Sequence, residues 1–406
     1  MYLENNDYWF TIEPYVYSNI KKHEIILLNT LNGYVIRNSN NDIVELVRKT
    51  QSKEQLSVTL LKRNELDNKH IYEFVRELRE NFMGDIINIS LSNGKPIQFI
   101  PEINLLSNNE ITTNIQKELI GQNILDFLNE INISISTGAE KTYFKQIGYH
   151  INSEKSETIH NLSFEKLQSF LNTLANSSLG KVIIQGSSIM NRPDIDKIIA
   201  FLNSFKKCIE LAIEVSIIND YLIRSYQKKM IIIVTSANIP LLVEKLNSLK
   251  RVDCKFLFIV EEQKHLDEFD VLVSSYQIEE YQLIPLYNGN NLSFFEECIF
   301  LDESDITSVS DTIKDIHTKY LINTNDFGKL YITSDGEIYA NLNKSPIGTI
   351  NDNIRELIYK EIDLGTSWRR TRDMEPCCNC VYQWLCPSPS NYELAIGKPN
   401  LCHVKQ

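Results

Sequence analysis

Apolar and polar positions follow two different rhythms along the chain. In the first 95 residues short apolar runs dominate, and residues 8–18, 24–30 and 34–37 read as strands. The last two flank Asn32-Gly33, a pair suited to the positive φ angles of a type I′ turn, so residues 27–36 are expected to form a tight hairpin. Asn41 and Asp42 then cap an expected helix carrying Ile43, Val44, Leu46 and Val47. A stronger helix is predicted over 68–82, where Ile71, Phe74, Val75, Leu78 and Phe82 fall at i, i+3, i+4, i+7 and i+11, with Gly84 as its stop.

Residues 90–110 are rich in Ser, Asn, Gly and Pro and read as a connector. Beyond residue 112 the rhythm changes to strands alternating with helices. Strand-like runs at 131–137, 181–185, 209–217, 230–235, 254–260 and 281–286 are separated by amphipathic segments at 163–177, 193–206, 220–228, 239–249 and 263–275. Six βα repeats imply a parallel sheet with right-handed crossovers. An incomplete βα barrel and an open doubly wound sheet both satisfy the pattern. Later, residues 329–333 and 337–340 flank Ser334-Asp335-Gly336 as a hairpin, followed by a helix near 354–361. The expected organisation is a winged-helix-like α+β module over 1–95, a linker over 96–110, an α/β segment over 111–318 and a small domain over 319–406.

Charge narrows the function. The 406 residues carry 41 Lys and Arg against 53 Asp and Glu, a net charge of −12. That balance argues against a nucleic-acid partner, and helix 68–82 offsets Lys69, Arg76 and Arg79 with Glu73, Glu77 and Glu80. No apolar run approaches the roughly 18 residues that would span a bilayer. The start, MYLENNDYWF, lacks the basic region of a signal peptide, so a cytoplasmic protein with no membrane partner is expected. No Ser-His-Asp or Cys-His arrangement stands out among the seven histidines.

The eight cysteines are unevenly placed. Cys208, Cys254 and Cys298 stand alone in apolar stretches and are expected to be buried core thiols. The other five are Cys377, Cys378, Cys380, Cys386 and Cys402. Four of them follow the spacing C-x2-C-x5-C-x15-C: Cys377, Cys380, Cys386 and Cys402. In a chain without a secretion signal such a cluster points to metal rather than disulfides. A [4Fe–4S] cluster and tetrahedral zinc both fit that spacing.

Three stretches resemble known families. The wording LLNTLNGYVI, IVELV and FVRELRENFMG resembles the PqqD-like peptide recognition element. That resemblance implies that a leader peptide adds as a strand beside residues Tyr34, Val35, Ile36 and Arg37 and faces Ile71, Phe74, Val75 and Leu78. The order of strands, loops and the segment RPDIDKII resembles the radical SAM core. That family binds its catalytic cluster through CxxxCxxC after the first strand, whereas this chain has no cysteine before Cys208. The family's Gly-Gly-Glu motif reads Gly186-Ser187-Ser188 here. The stretch DGEIYANLNKSPIGTI together with the late cysteines resembles a SPASM domain. Its usual ligand pattern implies one auxiliary [4Fe–4S] cluster on Cys377, Cys380, Cys386 and Cys402. A second cluster would require cysteines where Asn341 and Ser390 stand. Cys378 has no family role; it is either a free thiol or a ligand in place of Cys377.

Together these resemblances imply an α/β fold: an incomplete (β/α)6 radical-SAM-like barrel, with an N-terminal winged-helix-like module and a small C-terminal SPASM-like metal-binding domain. The resemblance is to pseudo-radical-SAM proteins found beside short glycine-rich precursor peptides in Bacteroidales. It implies a non-catalytic accessory protein of ribosomal peptide maturation, with a precursor (leader) peptide and a partner maturation enzyme as partners. No AdoMet-binding cluster is expected. Two alternatives stand beside it. One is an electron-transfer partner or an enzyme with altered chemistry at Glu140, Lys141, Tyr143, Lys145 and Ser187-Ser188. The other is a zinc-stabilised peptide-binding adaptor. Trp368, Arg369, Arg370 and Arg372 are candidates for a docking patch beside the metal.

Overall fold

The computed structural model describes residues 4–52, 54–96, 123–136 and 160–404. Most of the expected connector and the loop after the first strand of the α/β segment, including Glu140, Lys141, Tyr143 and Lys145, lie outside the described residues.

The N-terminal residues build two three-stranded antiparallel sheets. Strands β1 (Tyr8–Ile12), β5 (Val58–Leu61) and β6 (Gly84–Asn88) form one, in the order β5-β1-β6. Strands β2 (Val16–Ile20), β3 (Ile25–Asn29) and β4 (Val35–Asn38) form the other, in the order β2-β3-β4. The single run expected over 8–18 is thus two strands in two sheets. Pro14 lies between them, and proline has no N–H to give a ladder. Helices α1 (Asn41–Thr50) and α2 (Lys69–Glu80) close the module. Ile43, Val44, Val47, Ile71, Phe74, Val75 and Leu78 meet Phe10, Leu27, Ile36 and Leu61 in one core. The α1 cap is Asn40, one residue earlier than expected; its side chain accepts from the N–H groups of Asp42 and Ile43.

Two local expectations are corrected. The β3–β4 connection is not a two-residue type I′ turn. The ladder pairs Leu28 with Val35, residues 30–34 loop out, and Gly33 takes the left-handed conformation at φ +77°. Side-chain oxygens of Asn29 and Asn32 accept from the N–H groups of Leu31 and Tyr34 and so satisfy the loop. Helix α2 closes after Glu80 with Phe82, not Gly84, in the left-handed position (φ +56°), where Met83 N donates to Leu78 O. Gly84 serves the sheet instead: a Cβ there would stand 2.5 Å from Thr11 O.

The α/β segment follows its apolar rhythm closely. Strands β7 (Glu130–Ser136), β8 (Lys181–Gly186), β9 (Cys208–Glu214), β10 (Met230–Thr235), β11 (Cys254–Val260) and β12 (Tyr281–Pro285) are all parallel and adjacent in sequence order. Helices α3 (Phe164–Leu174), α4 (Ile195–Ser204), α5 (Asp220–Ser225), α6 (Ile239–Leu249) and α7 (Gln263–Tyr276) alternate with them. Ser163 caps α3 through a bond from Lys166 N, and Pro240 sits in the first turn of α6. The strands are apolar on both faces. Val182, Ile184, Leu211, Ile213, Ile232 and Val234 pack under the helices. The alternate residues Ile183, Ala212, Ile231, Ile233, Leu257 and Ile259 form a second buried layer with Leu286.

The sheet continues past residue 318. After α8 (Leu292–Cys298), α9 (Glu303–Ser308) and α10 (Ile313–Leu321), strand β13 (Lys329–Ile332) pairs parallel to β7. Then β14 (Glu337–Tyr339) and β15 (Gly348–Thr349) complete a nine-stranded mixed sheet ordered β12-β11-β10-β9-β8-β7-β13-β14-β15. Gly336, at φ +93°, makes the expected hairpin turn. Helix α11 (Ile354–Leu364) and the short α12 (Asn391–Ile396) flank the cysteine-rich loops. Among the described residues no helix is long and apolar enough to cross a membrane.

Candidate metal centre and peptide-binding edge

Cys377, Cys380, Cys386 and Cys402 line one cavity, together with Arg372, Gln383, Asn400 and Leu301. Cys378 does not line it. A tight turn brings the first three thiols round: Cys380 N donates to Cys377 O, and Cys386 N donates to Tyr382 O. Cys402 arrives from the far end of the chain through a parallel bridge to Leu301, and Asn400 Nδ2 donates to its sulfur at 3.1 Å. Burial pushes the Cys386 thiol up to about 12 and also raises Cys377 and Cys380. The Arg372 guanidinium opposes that rise at Cys386 and Cys377.

Arg372 organises the loop. Its Nη1 donates to Cys377 Sγ at 3.6 Å, Nη2 to Glu393 Oε1 at 2.8 Å and Nε to Pro387 O at 2.5 Å. Gln383 Nε2 donates to Arg372 O at 2.7 Å. Lys21, from the end of β2, donates to Gln383 Oε1 at 2.7 Å and to Cys378 O at 2.8 Å. The N-terminal module is therefore wired to the cysteine loop. Asn19 Nδ2 adds a bond to Val381 O at 2.8 Å. Tyr17, Ile26 and Leu28 share an apolar cluster with Val381, Tyr382 and Leu385.

Four thiols around one cavity, with a buried cation beside them, suit an anionic metal–thiolate centre. Among the described residues no three His, Cys, Asp or Glu side chains converge on the position of one ion.

The positions that SPASM likeness associates with a second cluster also come together, around polar groups. Asn341 Nδ2 donates to Asp326 Oδ2 at 2.9 Å and to Asn391 Oδ1 at 2.6 Å, beside Ser390. Arg370 Nη2 lies 3.6 Å from Asp326 Oδ2 and donates to Ser390 O at 3.2 Å. Asn323, buried, ties these loops together: its Nδ2 donates to Arg370 O and Pro389 O. Arg372's sulfur contact, Lys21, Gln383, Asn400 and Asn323 carry no motif; only their spatial meeting marks them.

The expected docking patch is internal. Trp368 is 0% exposed, Arg369 and Arg372 are buried, and Arg370 is engaged with Asp326. Their apolar and carbonyl partners explain why: Trp368 Nε1 donates to Lys329 O and Arg369 Nη1 to Ile362 O. The three isolated cysteines are also corrected. Cys208 and Cys298 are exposed and Cys254 is half-buried. Each stands at an end of its strand or helix, outside the buried stretch.

At the N-terminal module, β4 pairs with β3 alone among the described strands. Tyr34 O accepts from Asn29 N, which sets the phase of the ladder. Residues 34, 36 and 38 bond to β3, so the N–H and C=O of Val35 and Arg37 point away from it. Ile36 faces the core, Val35 packs toward the cysteine loop, and Arg37 pairs with Glu24 and Glu303. Ile71, Phe74, Val75 and Leu78 are buried in the module core. The helix surface beside β4 is formed by other residues, since Tyr34 Oη donates to Glu77 Oε1 at 3.1 Å.

At the carboxyl ends of β7 and β8, Arg192 Nη1 donates to Ile135 O at 2.7 Å while the guanidinium pairs with both oxygens of Asp194. The Arg-Pro-Asp segment thus pins the second loop to the first strand. Gly186 passes so near Ser136 that a Cβ would stand 2.4 Å from its hydroxyl.

No family model matches the chain. No curated protein matches it either. Among solved structures, the chain is similar to SuiB from Streptococcus suis, with a TM-score of 0.50 and 12% identity over 97% of this chain and 100% of that one. SuiB bound to S-adenosylmethionine gives a TM-score of 0.48 at 12% identity, covering 97% and 98% of the two chains. SuiB bound to the precursor peptide SuiA gives 0.47 at 13%, covering 97% and 99%. The likeness to SuiB is one of fold: an α/β chain built on a large mixed sheet with helices.

Proposed function

We propose that the protein is a non-catalytic partner in the maturation of a ribosomally made peptide. It captures a precursor peptide at the outer edge of β4 and holds one [4Fe–4S] cluster on Cys377, Cys380, Cys386 and Cys402. The observation that carries this reading is where the thiols stand. Four line one cavity in the tail, and no cysteine precedes Cys208, so the loops after β7 and β8 have none to offer. Radical cleavage of S-adenosylmethionine needs an iron held there by thiolates and left open to that ligand. The aliphatic layer of Ile183, Ala212, Ile231, Ile233, Leu257 and Ile259 supports a sheet kept as a scaffold.

A cluster is preferred to zinc on the resemblance of the tail's cysteine spacing to SPASM domains, since four thiolates at that spacing suit either metal centre. When bound, the cluster supplies folding free energy to a loop-rich tail. Arg372 offsets the negative charge of the thiolates, and Asn400 holds the sulfur of Cys402. The peptide role rests on the outward N–H and C=O groups of Val35 and Arg37, the donors and acceptors that strand addition needs.

The test is purification of the full chain without oxygen. About four irons and four sulfides per chain, with a broad absorbance near ~400 nm, are expected. A colourless protein with about one zinc would establish the adaptor alternative. Formation of 5′-deoxyadenosine from S-adenosylmethionine under reducing conditions would overturn the non-catalytic reading.

A further inference from the structure

Strand β2 presents two faces to two different parts of the chain. On one, Val16 enters the core of the N-terminal module, Ile20 packs against that core, and Ser18 Oγ accepts from Gln51 Nε2. The two-residue period of a strand sends Tyr17, Asn19 and, just past its end, Lys21 to the opposite face. That face lies over the cysteine loop. Asn19 donates to Val381 O, and Lys21 donates to Cys378 O and Gln383 Oε1. Tyr17, paired with Leu28 across the ladder, packs with Val381, Tyr382 and Leu385. Leu301, Cys380, Cys386 and Val404 border that same cluster and also line the cavity of the four thiols.

Tyr17 differs from the other two members of its row in one respect. It is 8% exposed, and its Oη has no hydrogen-bond partner among the described residues. A hydroxyl buried in that way costs free energy that phenylalanine in the same place would not. Burial, and then the charge of Cys386, raise this hydroxyl above its ordinary value, so it keeps its proton and stays a donor. Anionic sulfur is the acceptor that suits it. Metal-bound thiolates and the sulfides of a cluster take hydrogen bonds from the protein around them.

We infer that the Tyr17 hydroxyl is a hydrogen-bond donor to the sulfur atoms of the metal centre at Cys377, Cys380, Cys386 and Cys402, which makes β2 an outer wall of that centre. This rests on the metal-binding reading above and adds a positioning residue from the opposite end of the chain. Asn19 and Lys21 hold the cysteine loop against β2. Tyr17 meets the negative charge that the bound thiolates carry.

The test compares the full parent chain with Tyr17→Phe, both purified without oxygen and assayed for iron, sulfide and zinc. Loss of the bound metal to a chelator is expected to be about tenfold faster in the variant. If the metal is an iron–sulfur cluster, the midpoint potential of the variant should also fall, because a hydrogen bond to sulfur stabilises the added electron. The metal-free full chains should behave differently. There Tyr17→Phe should unfold at an equal or higher urea concentration, since its hydroxyl gives up no bond. A tyrosine that bonds a buried water would instead lose stability on substitution with and without metal alike. That parallel loss, or metal release no faster in the variant than in the parent, overturns the role of Tyr17 and leaves the metal centre standing. A parent chain that holds neither iron nor zinc overturns the metal reading and this inference with it.

Discussion

Arg372 Nη2 lies 2.8 Å from Glu393 Oε1, and both side chains are shut away from solvent. The pair fastens the cysteine loop to α12, because the same guanidinium also holds Cys377 Sγ and Pro387 O. Burial pushes the Glu393 carboxyl up, and the charge of Arg372 opposes that rise. Removing one partner strands the other charge in a dry site. Arg372→Met should cost about 3–5 kcal/mol in urea unfolding of the metal-free protein, and Glu393→Met a similar amount. The double variant should recover much of the loss, since no unpaired charge remains. Additive losses in the double variant would show that the two side chains act separately.

Asn341, just past β14, bridges Asp326 and Asn391 and so ties the turn before β13 to α12. Asp326 is almost wholly buried, and burial holds its carboxyl above the usual range against the pull of Arg370. Asn341→Ala removes a donor that nothing apolar replaces, so a loss of about 1–3 kcal/mol is expected. Asn341→Asp should be worse at neutral pH, because it sets a second carboxylate beside the first. Thermal unfolding of the two variants at pH 7 ranks them; equal stability would show that the network contributes nothing.

What the sequence revealed, and what it hid, follows from how local each signal is. The strands β8, β10 and β11 are legible because Val182 to Ile184, Ile231 to Val234 and Phe256 to Val260 are unbroken apolar runs, buried on both faces. The meeting of Cys377, Cys380 and Cys386 at one cavity is legible because they lie close in sequence, whereas Cys402 joins them through its bridge to Leu301. The left-handed Phe82 just past α2 was hidden, since a bulky residue in that region runs against propensity. Pro14 splitting one run between two sheets was hidden for a different reason: the partners of β1, β5 and β6, lie far along the chain, while β2 pairs with the next strand, β3. The arginines after Trp368 look solvated in sequence. Their burial depends on carbonyls of residues 362 and 387 to 390, which no local pattern supplies. Lys21, 357 residues from Cys378, is the extreme case.

Cluster assembly should consume thiolates that the metal-free protein keeps protonated. Cys386 is pushed up to about 12 by burial, so metal binding must release protons. Reconstitution with iron and sulfide is therefore expected to proceed faster at about pH 8.5 than at about pH 7, because the thiolate fraction of a group that titrates above both rises about tenfold per unit. Cys378 lies outside the ring of donors. Cys378→Ala should keep its full iron content, whereas Cys386→Ala should lose it. Iron loss in Cys378→Ala with retention in Cys377→Ala would move the fourth ligand to Cys378.

His317 gives the fold an acid-sensitive point away from the cysteines. It lies on α10, whose neighbour Ile316 is packed in the cluster shared with Tyr17 and Leu385. Burial lowers the imidazole below its ordinary value. The unfolded chain, with a histidine near ~6.5, then binds a proton more readily than the folded chain. Linkage gives the sign: the unfolded state holds more protons as pH falls through ~6.5, so the folded state loses stability on the acid side and regains it above. His317→Gln removes this titration. Urea midpoints at about pH 7.5 and about pH 5.5 should fall further apart in the parent protein than in the variant. An identical drop in both would place the acid sensitivity elsewhere, and a larger drop in the variant would reverse the sign argued for this histidine.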